Sequence, residues 1–292
     1  MTIDKTASID GDPIVYAMAF AMQSYALIDE DNAGHVVEVL PTIKEAKELA
    51  KEIGLVNYST SPYVERTVEM FDDMHDTLSD FIFTILEETE AIDHHIILSG
   101  KSNFRYSVDP EYKANRKSVD KPLLYEDVRD MLINDFGAEY AEEGFEADDE
   151  LGEFAYWSIA LYMPEDYVIC TIDKDLDTIP GWHYRWPTHN KESDLYWVTP
   201  EDAMKTFWIS VLTGDTADNI PGLKGIGPKK ALKIVAGCVK QKDYYEACEQ
   251  AYLSHYEGEM DEEDIIKRFE TNIQLLTIGK GEEDGKEHSG SD

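Results

Sequence analysis

Five consecutive positions, Glu146-Ala147-Asp148-Asp149-Glu150, hold four acids, and the residues that follow, from Leu151 to Trp157, read as the body of a helix. Glu146, Asp148 and Asp149 would then share one small volume at a helix start. The helix dipole relieves such repulsion by only about 0.3–1 kcal/mol per group. A divalent cation relieves far more, and hard cations such as Mg²⁺ take carboxylate oxygens. A solvated acidic first turn is the competing reading, because a short motif alone is weak. Where the other acids fall tips the balance toward a metal.

Those acids follow predicted strands. Ala7-Ser8-Ile9-Asp10 is a short extended piece before Gly11 and Pro13, with an apolar segment over 14–22. Tyr167-Val168-Ile169-Cys170-Thr171-Ile172 is the clearest buried strand and runs into Asp173-Lys174-Asp175. Open α/β sheets bind ligands at the carboxyl ends of their strands. Asp10 also suits a helix cap, and Asp12 could either reach a metal or simply cap the helix, with the cap the favoured reading. Strand, acid and helix alternate through the first 200 residues, which predicts an α/β fold with a mostly parallel sheet flanked by helices.

The remaining elements follow from caps and periodicity. Residues 32–39 read as a surface hairpin arm, and Thr42-Ile43-Lys44-Glu45 is a capping box opening a helix to about Ile53. A long amphipathic helix is expected over 62–92, a buried strand over 94–100, a helix over 123–136 and a strand over 137–143. His94 and His95 lack partners at metal spacing and read as surface residues. Thr199-Pro200 opens a helix to about Leu212, and further helices are expected over 246–256 and 263–276. The expected division is an α/β domain over 1–198, a helical region over 199–280 and a disordered acidic tail over 281–292.

Charge narrows the partners. The chain has 292 residues and a net charge of -35, from 61 acids and 26 bases. As a whole this disfavours a polyanionic partner. Two windows depart from it: residues 101–122 carry a balance of +3, and residues 222–242 carry +6 with no acid. In the first, Phe104 and Tyr112 alternate with Arg105, Lys113 and Arg116, a composition suited to phosphate contact and base stacking. In the second, the Gly225-Ile226-Gly227 turn leads through Pro228 into a helix flanked by Lys224, Lys229 and Lys230. Turn amides and a helix N-terminus there would receive a DNA backbone phosphate. No apolar run reaches the roughly 18 residues of a membrane span. With three widely spaced cysteines and no signal-peptide pattern, a cytoplasmic protein with no membrane partner is expected.

These motifs carry a resemblance. Phe104-Arg105 with Tyr112-Lys113-Ala114-Asn115-Arg116, the Gly144-to-Asp149 stretch, Asp173-Lys174-Asp175-Leu176, and Leu212-Thr213-Gly214-Asp215-Thr216-Ala217-Asp218-Asn219-Ile220-Pro221-Gly222 with its hairpin occur in the order seen in 5′→3′ exonucleases and flap endonucleases. The group includes bacteriophage enzymes and the N-terminal nuclease domain of bacterial DNA polymerase I. The resemblance spans about residues 8–236 and implies a PIN-like nuclease fold with a helical arch or clamp and a helix–hairpin–helix. It implies two Mg²⁺ ions, with Mn²⁺ able to substitute: Asp10, Glu146, Asp148 and Asp149 around the first, Asp173, Asp175, Asp215 and Asp218 around the second. Lys113 and Arg116 would act catalytically above the scissile phosphate. Phe104, Arg105, Tyr112, Lys113, Arg116, Lys224, Gly225, Gly227, Lys229 and Lys230 would touch DNA, with K⁺ at the hairpin. The family's usual acid before the Phe-Arg pair is Ser99 here, leaving the first metal site one carboxylate short.

The implied activity is two-metal cleavage of DNA with a free 5′ end, a flap or a recessed duplex, in phage replication or recombination, within the host cytoplasm if the gene is a phage's. A replication protein could recruit so acidic a chain. Removal of RNA primers from RNA–DNA hybrid by the same fold is the second enzymatic reading. A non-catalytic helix–hairpin–helix DNA-binding protein is the third, disfavoured by the near-complete set of acids.

Overall fold

Alternation of side chains along short strands decides which residues meet. The computed structural model describes residues 5–116, 120–160, 163 and 166–279. The expected disordered tail over 281–292 and Lys117 of the first basic window lie outside these residues. In chain order the elements are β1 (Thr6–Asp10), α1 (Gly11–Ala21), β2 (Ser24–Asp29), β3 (His35–Leu40), α2 (Ile43–Glu52), β4 (Tyr58–Tyr63), α3 (Val68–Thr89), β5 (Asp93–Leu98), α4 (Arg105–Val108), α5 (Tyr125–Phe136), β6 (Glu139–Tyr140), α6 (Ala147–Ala160), β7 (Tyr167–Cys170), β8 (Gly181–Arg185) and β9 (Asp194–Val198). The helices α7 (Pro200–Thr213), α8 (Pro228–Ile234), α9 (Gln241–Tyr256) and α10 (Glu262–Leu276) follow.

The central sheet has the order β6-β5-β1-β7-β8-β9 and is parallel except for the edge pair β8–β9. Ala7 and Ile9 of β1, Ile96 and Leu98 of β5, and Val168 and Cys170 of β7 enter one core with α1, α3 and α5. Ile97 and Ile169 face the opposite way and pack against Ala147, Leu151 and Ala155 of α6. The alternation explains why β1 looks only faintly apolar. Ser8, buried between Ala7 and Ile9, receives a hydrogen bond from the Tyr167 hydroxyl. Asp10 lies two residues on and so faces the same side as Ser8, toward α6.

Several boundaries differ from the sequence expectation: α9 begins at Gln241 and not at Glu246, and the strand expected over 137–143 is only Glu139–Tyr140. The long helix begins at Val68, capped by Thr67, whose hydroxyl accepts from the Met70 amide at 3.1 Å. Pro62 belongs instead to β4, which pairs antiparallel with β2. The hairpin expected over 32–39 contributes β3, and β3-β2-β4 form a small separate sheet. Leu27, Ala46 and Ala50 make its own core with α2, whose capping box is present as expected.

The C-terminal helices enclose a second core around Trp208, Tyr252 and Phe269. The Tyr252 hydroxyl donates to the Val211 carbonyl at 2.6 Å, so its burial leaves no polar atom unmatched. Between α7 and α8 the chain makes a loop whose two ends are pressed backbone to backbone: Gly214 pairs with Pro221 and Asp215 with Ile220. A Cβ on Gly222 would lie 2.0 Å from the Thr213 carbonyl carbon, and one on Gly214 would lie 2.2 Å from the Gly222 amide. Only glycine fits at this crossing. Gly222→Ala is expected to lower stability by about 1–3 kcal/mol or more through overpacking, read as a shift of the urea midpoint; a midpoint unchanged from wild type would mean the loop ends part at no cost.

Candidate active site

The carboxyl ends of β5, β1 and β7 lie side by side and open into a cleft of about 400 Å³. Eight carboxylates line it: Asp10, Asp12, Glu146, Asp148, Asp173, Asp175, Asp215 and Asp218. Asp10 ends β1, and its Oδ1 accepts from the Asp12 amide at 3.2 Å, so Asp10 and not Asp12 caps α1. Its Oδ2 accepts from the Thr171 hydroxyl at 2.9 Å. Asp148 stands in the first turn of α6. Asp173 accepts from the Asp175 amide at 2.9 Å and so turns the chain after β7. Asp215 and Asp218 come from the glycine-pinched loop.

Cations answer only part of this charge. Lys113 donates to Glu146 and lies 3.7 Å from Asp218, and Arg116 donates to Asp218. Among the described residues, Asp10, Asp148, Asp173, Asp175 and Asp215 have no cationic partner within ion-pair distance. Burial, with Asp12 and Asp173 adding to it, pushes the Asp10 carboxyl up to about 8. Burial and the neighbouring Asp10, Asp173 and Glu146 raise Asp148 in the same way. Asp175 is pushed up to about 7 by burial, Asp173 and Asp215. Glu146 goes the other way: burial would raise it, but Lys113 and Arg105 outweigh burial and hold it below the usual carboxylate range. The donor set is all oxygen and suits hard divalent cations. Among the described residues no three of these groups converge on one point at ligand distance, so the site is a lined cleft and not a closed cage.

Asp149 is corrected by the structure. It is 0% exposed, and its two oxygens accept from Arg105 at 2.7 and 2.8 Å, from the Glu146 amide at 3.0 Å and from the Gly279 amide at 3.1 Å. No lone pair is left to face the cleft. Arg105 is corrected with it, since a side chain 3% exposed cannot reach DNA. Its Nε donates to the Leu275 carbonyl at 2.8 Å and its guanidinium to the Thr277 carbonyl at 2.7 Å. Tyr112 is no stacking platform either. It is 2% exposed, and its hydroxyl lies 2.9 Å from an oxygen of each of Glu146 and Asp218. Phe104 is half-buried against Phe145, with ring centroids 5.7 Å apart, and borders an open apolar groove.

Lys113 and Arg116 do reach the cleft. Between α4 and α5 the described chain makes only a short 3-10 turn over Ala114–Arg116 in place of an extended helical arch. That turn is stitched to the acidic loop: the Lys113 amide donates to the Asp218 carbonyl at 2.9 Å, and the Asn219 side chain donates to the Glu111 carbonyl at 2.7 Å. Lys113 and Asn219 both hold left-handed φ values, 52° and 59°, a strained choice for non-glycine residues. On the far side of the loop, Lys224, Gly225, Gly227, Lys229 and Lys230 are all exposed, and nothing stands within 4 Å of a Cβ built on either glycine. The Gly225 carbonyl accepts from Lys230 Nζ at 2.8 Å, so a K⁺ ion at that carbonyl would compete with a lysine. Sequence reasoning missed Thr171, and Ser99 as the acceptor for the Ala147 amide at 2.9 Å, and it set Asp12 down as a cap ahead of a metal residue, whereas Asp12 borders the cleft and Asp10 is the cap. Only their positions at strand ends or beside Asp10 could have marked them.

Comparison with known proteins bears on the domain and its fold. Residues 70–196 match the model of the 5'-3' exonuclease, N-terminal resolvase-like domain. The chain is 30% identical over 167 residues to DNA polymerase I of Bacillus subtilis (strain 168), covering 51% of this chain and 18% of that polymerase. It is 26% identical over 253 residues to the 5'-3' exonuclease of Buchnera aphidicola, covering 83% of this chain and 73% of the relative. In fold it is similar to the bacteriophage T5 flap endonuclease solved as a pseudo-enzyme-product complex with DNA and metal ions, with a TM-score of 0.52 and 19% identity, covering 69% of this chain and 80% of that one. The chain thus spans less than a fifth of the length of the polymerase, within which its likeness is to one part. Residues 70–196 thus match the 5'-3' exonuclease N-terminal domain, and the chain as a whole is similar in sequence and fold to 5′ nucleases.

Proposed function

We propose that the chain is a divalent-metal-dependent 5′→3′ exonuclease and flap endonuclease acting on DNA with a free 5′ end, in phage replication or recombination in the host cytoplasm. The observation that carries this reading is the set of five carboxylates without cationic partners in one cleft at the carboxyl ends of three adjacent strands. Asp10, Asp148 and Glu146 would hold one ion, and Asp173, Asp175, Asp215 and Asp218 a second; Mg²⁺ or Mn²⁺ fits this donor set. Bound there, a pair of such ions supplies charge stabilisation to the attacking and leaving oxygens of phosphodiester hydrolysis. Lys113 and Arg116 border the same cleft and would orient the scissile phosphate by charge-assisted hydrogen bonds. The exposed lysines and glycines around Gly225 would grip duplex backbone at a distance from the cut. The T5 relative's complex with DNA and metal ions supports the substrate class and the need for metal.

Cleavage of 5′-labelled flap, recessed duplex and RNA–DNA hybrid, with Mg²⁺ or with EDTA, tests the reading. DNA is expected to be cut only with Mg²⁺; absence of Mg²⁺-dependent cutting on every substrate would refute it, and cutting confined to the hybrid would reassign it to primer removal. Asp173→Ala is expected to reduce cleavage by more than the roughly 10–100-fold typical of an outer partner while DNA binding survives. Normal cutting by this variant would free Asp173 from the site.

The pH behaviour without divalent ions follows from the raised carboxyls. Asp10, with a folded value of about 8 against 3.8 unfolded, contributes stability that is whole below 3.8 and lost as pH rises through 8. Asp148 and Asp175 act in the same direction. In EDTA the melting temperature is therefore expected to fall as pH rises from 4 to 8 and to recover with Mg²⁺. Asp148→Asn should melt several degrees higher than wild type in EDTA at pH 8 and gain less from Mg²⁺. A variant that tracks wild type at every pH would take Asp148 out of the repelling group. Separately, Lys229→Ala with Lys230→Ala should weaken duplex binding and lower its salt slope by up to about 2; unchanged binding would remove the hairpin from DNA recognition.

A further inference from the structure

Asp12 occupies the cleft for a reason that α1 does not supply. It sits in the first turn of α1, but the cap is Asp10. Its carboxylate is held from the side. Oδ2 accepts from the Ser99 amide at 3.2 Å, and Oδ1 accepts from one terminal nitrogen of Arg129 at 3.2 Å. The Arg129 guanidinium is itself locked. It donates to the Ser99 carbonyl at 2.6 Å and to the Tyr125 hydroxyl at 3.0 Å, and lies over the rings of Tyr125 and Tyr140 at 5.4 and 5.1 Å.

The form of the ion pair separates it from a structural clamp. Arg105 meets Asp149 through both terminal nitrogens, and Arg66 meets Asp127 in the same two-pronged way at 2.6 and 2.8 Å. Bidentate pairing is the geometry in which the two groups satisfy each other best. Arg129 touches Asp12 with a single nitrogen and gives its other terminal nitrogen to a backbone carbonyl. The Asp12 side chain stays 26% exposed and borders the cleft beside Asp10, whereas that of Arg129 is 7% exposed. A carboxylate whose purpose was to neutralise Arg129 would be buried with it. Here the arginine is buried and the carboxylate is presented.

We infer that Asp12 is a further carboxylate of the cation-binding set and that Arg129 is its positioning residue. The inference rests on the metal-dependent reading of the cleft. Ser99 connects the parts: its amide holds Asp12, its carbonyl holds Arg129, and its hydroxyl accepts from the Ala147 amide at the start of α6, which carries Asp148. One residue after β5 thereby fixes Asp12 relative to both the arginine and the helix of Asp148. Asp12 would act through water held by the cation or on the cation directly; either raises affinity, and Arg129 keeps its side chain from turning out to solvent.

The test is calorimetric titration of the full chain with Mn²⁺ alone, beside melting curves in EDTA. Asp12→Asn keeps the size of the side chain and an oxygen for the Ser99 amide. It is expected to weaken Mn²⁺ binding roughly ten- to hundredfold, as loss of an outer partner does. Arg129→Lys leaves every carboxylate in place and is expected to weaken binding in the same direction by a smaller factor. Both should keep the far-ultraviolet dichroism of the wild type. If Asp12→Asn binds Mn²⁺ as wild type does, while Asp173→Ala does not and the Asp12 variant merely melts lower in EDTA, the pair is a bracket between α1 and α5 and the inference fails with the cleft reading intact. If the wild-type chain binds no Mn²⁺, both fail. Should Asp12→Asn not fold, an unchanged Mn²⁺ affinity in Arg129→Lys overturns the positioning role by itself.

Discussion

The buried ion pair between Arg105 and Asp149 is the joint on which the cleft depends. Burial works against the arginine's charge, but Asp149 outweighs it and holds the guanidinium above its usual value. Removing one partner of such a pair strands the other without solvent, which costs about 3–5 kcal/mol where measured. The pair also does what an apolar replacement could not. Through the Glu146 amide it fixes the start of α6, and through the Leu275 and Thr277 carbonyls and the Gly279 amide it draws in the chain after α10. Leu275, Leu276 and Ile278 then form one wall of the cleft. Cleft acids, arginine lock and C-terminal segment are thus one unit.

Around that joint the protein separates its charges into two kinds. Glu146 and Asp218 are answered by Lys113, Arg116 and Arg105 and define a polarised rim. Asp10, Asp148, Asp173 and Asp175 are gathered with little compensation, and burial, with repulsion from the neighbouring acids adding to it, raises the carboxyls of Asp10, Asp148 and Asp175. A fold that tolerates such crowding must hold the groups on rigid elements. It does so with strand ends, a helix start and a loop closed by two glycines at van der Waals limit.

Much of this was legible because it is local. Asp10 and Asp173 follow short strands, the second plainly apolar and the first only faintly so, and position after a strand is readable from sequence. The capping box at Thr42 and the Thr199-Pro200 helix start were readable for the same reason. What could not be read depends on distant partners. Neighbouring residues on a helix point about 100° apart, and only Arg105, 44 positions away, decides that Asp149 turns inward while Asp148 turns to the cleft. Tyr112 and Arg105 have the composition of a nucleic-acid loop, but their burial is set by α10 and the loop at Asp218. Pro62 ended up in a strand because β2, some 37 residues earlier, pairs with it.

The lock on Arg105 has a consequence in time. Its ligands include carbonyls 170 and 172 residues further along the chain. A polypeptide still emerging from the ribosome can form the sheet and gather Asp10, Asp148 and Asp173, yet it has no wall at Leu275 and no anchor at Thr277. The cleft is therefore complete only once the segment around Leu275 and Thr277 has been made and has docked, far later in synthesis than the acids it walls in. Until then its carboxylates stand at the surface of an unfinished domain.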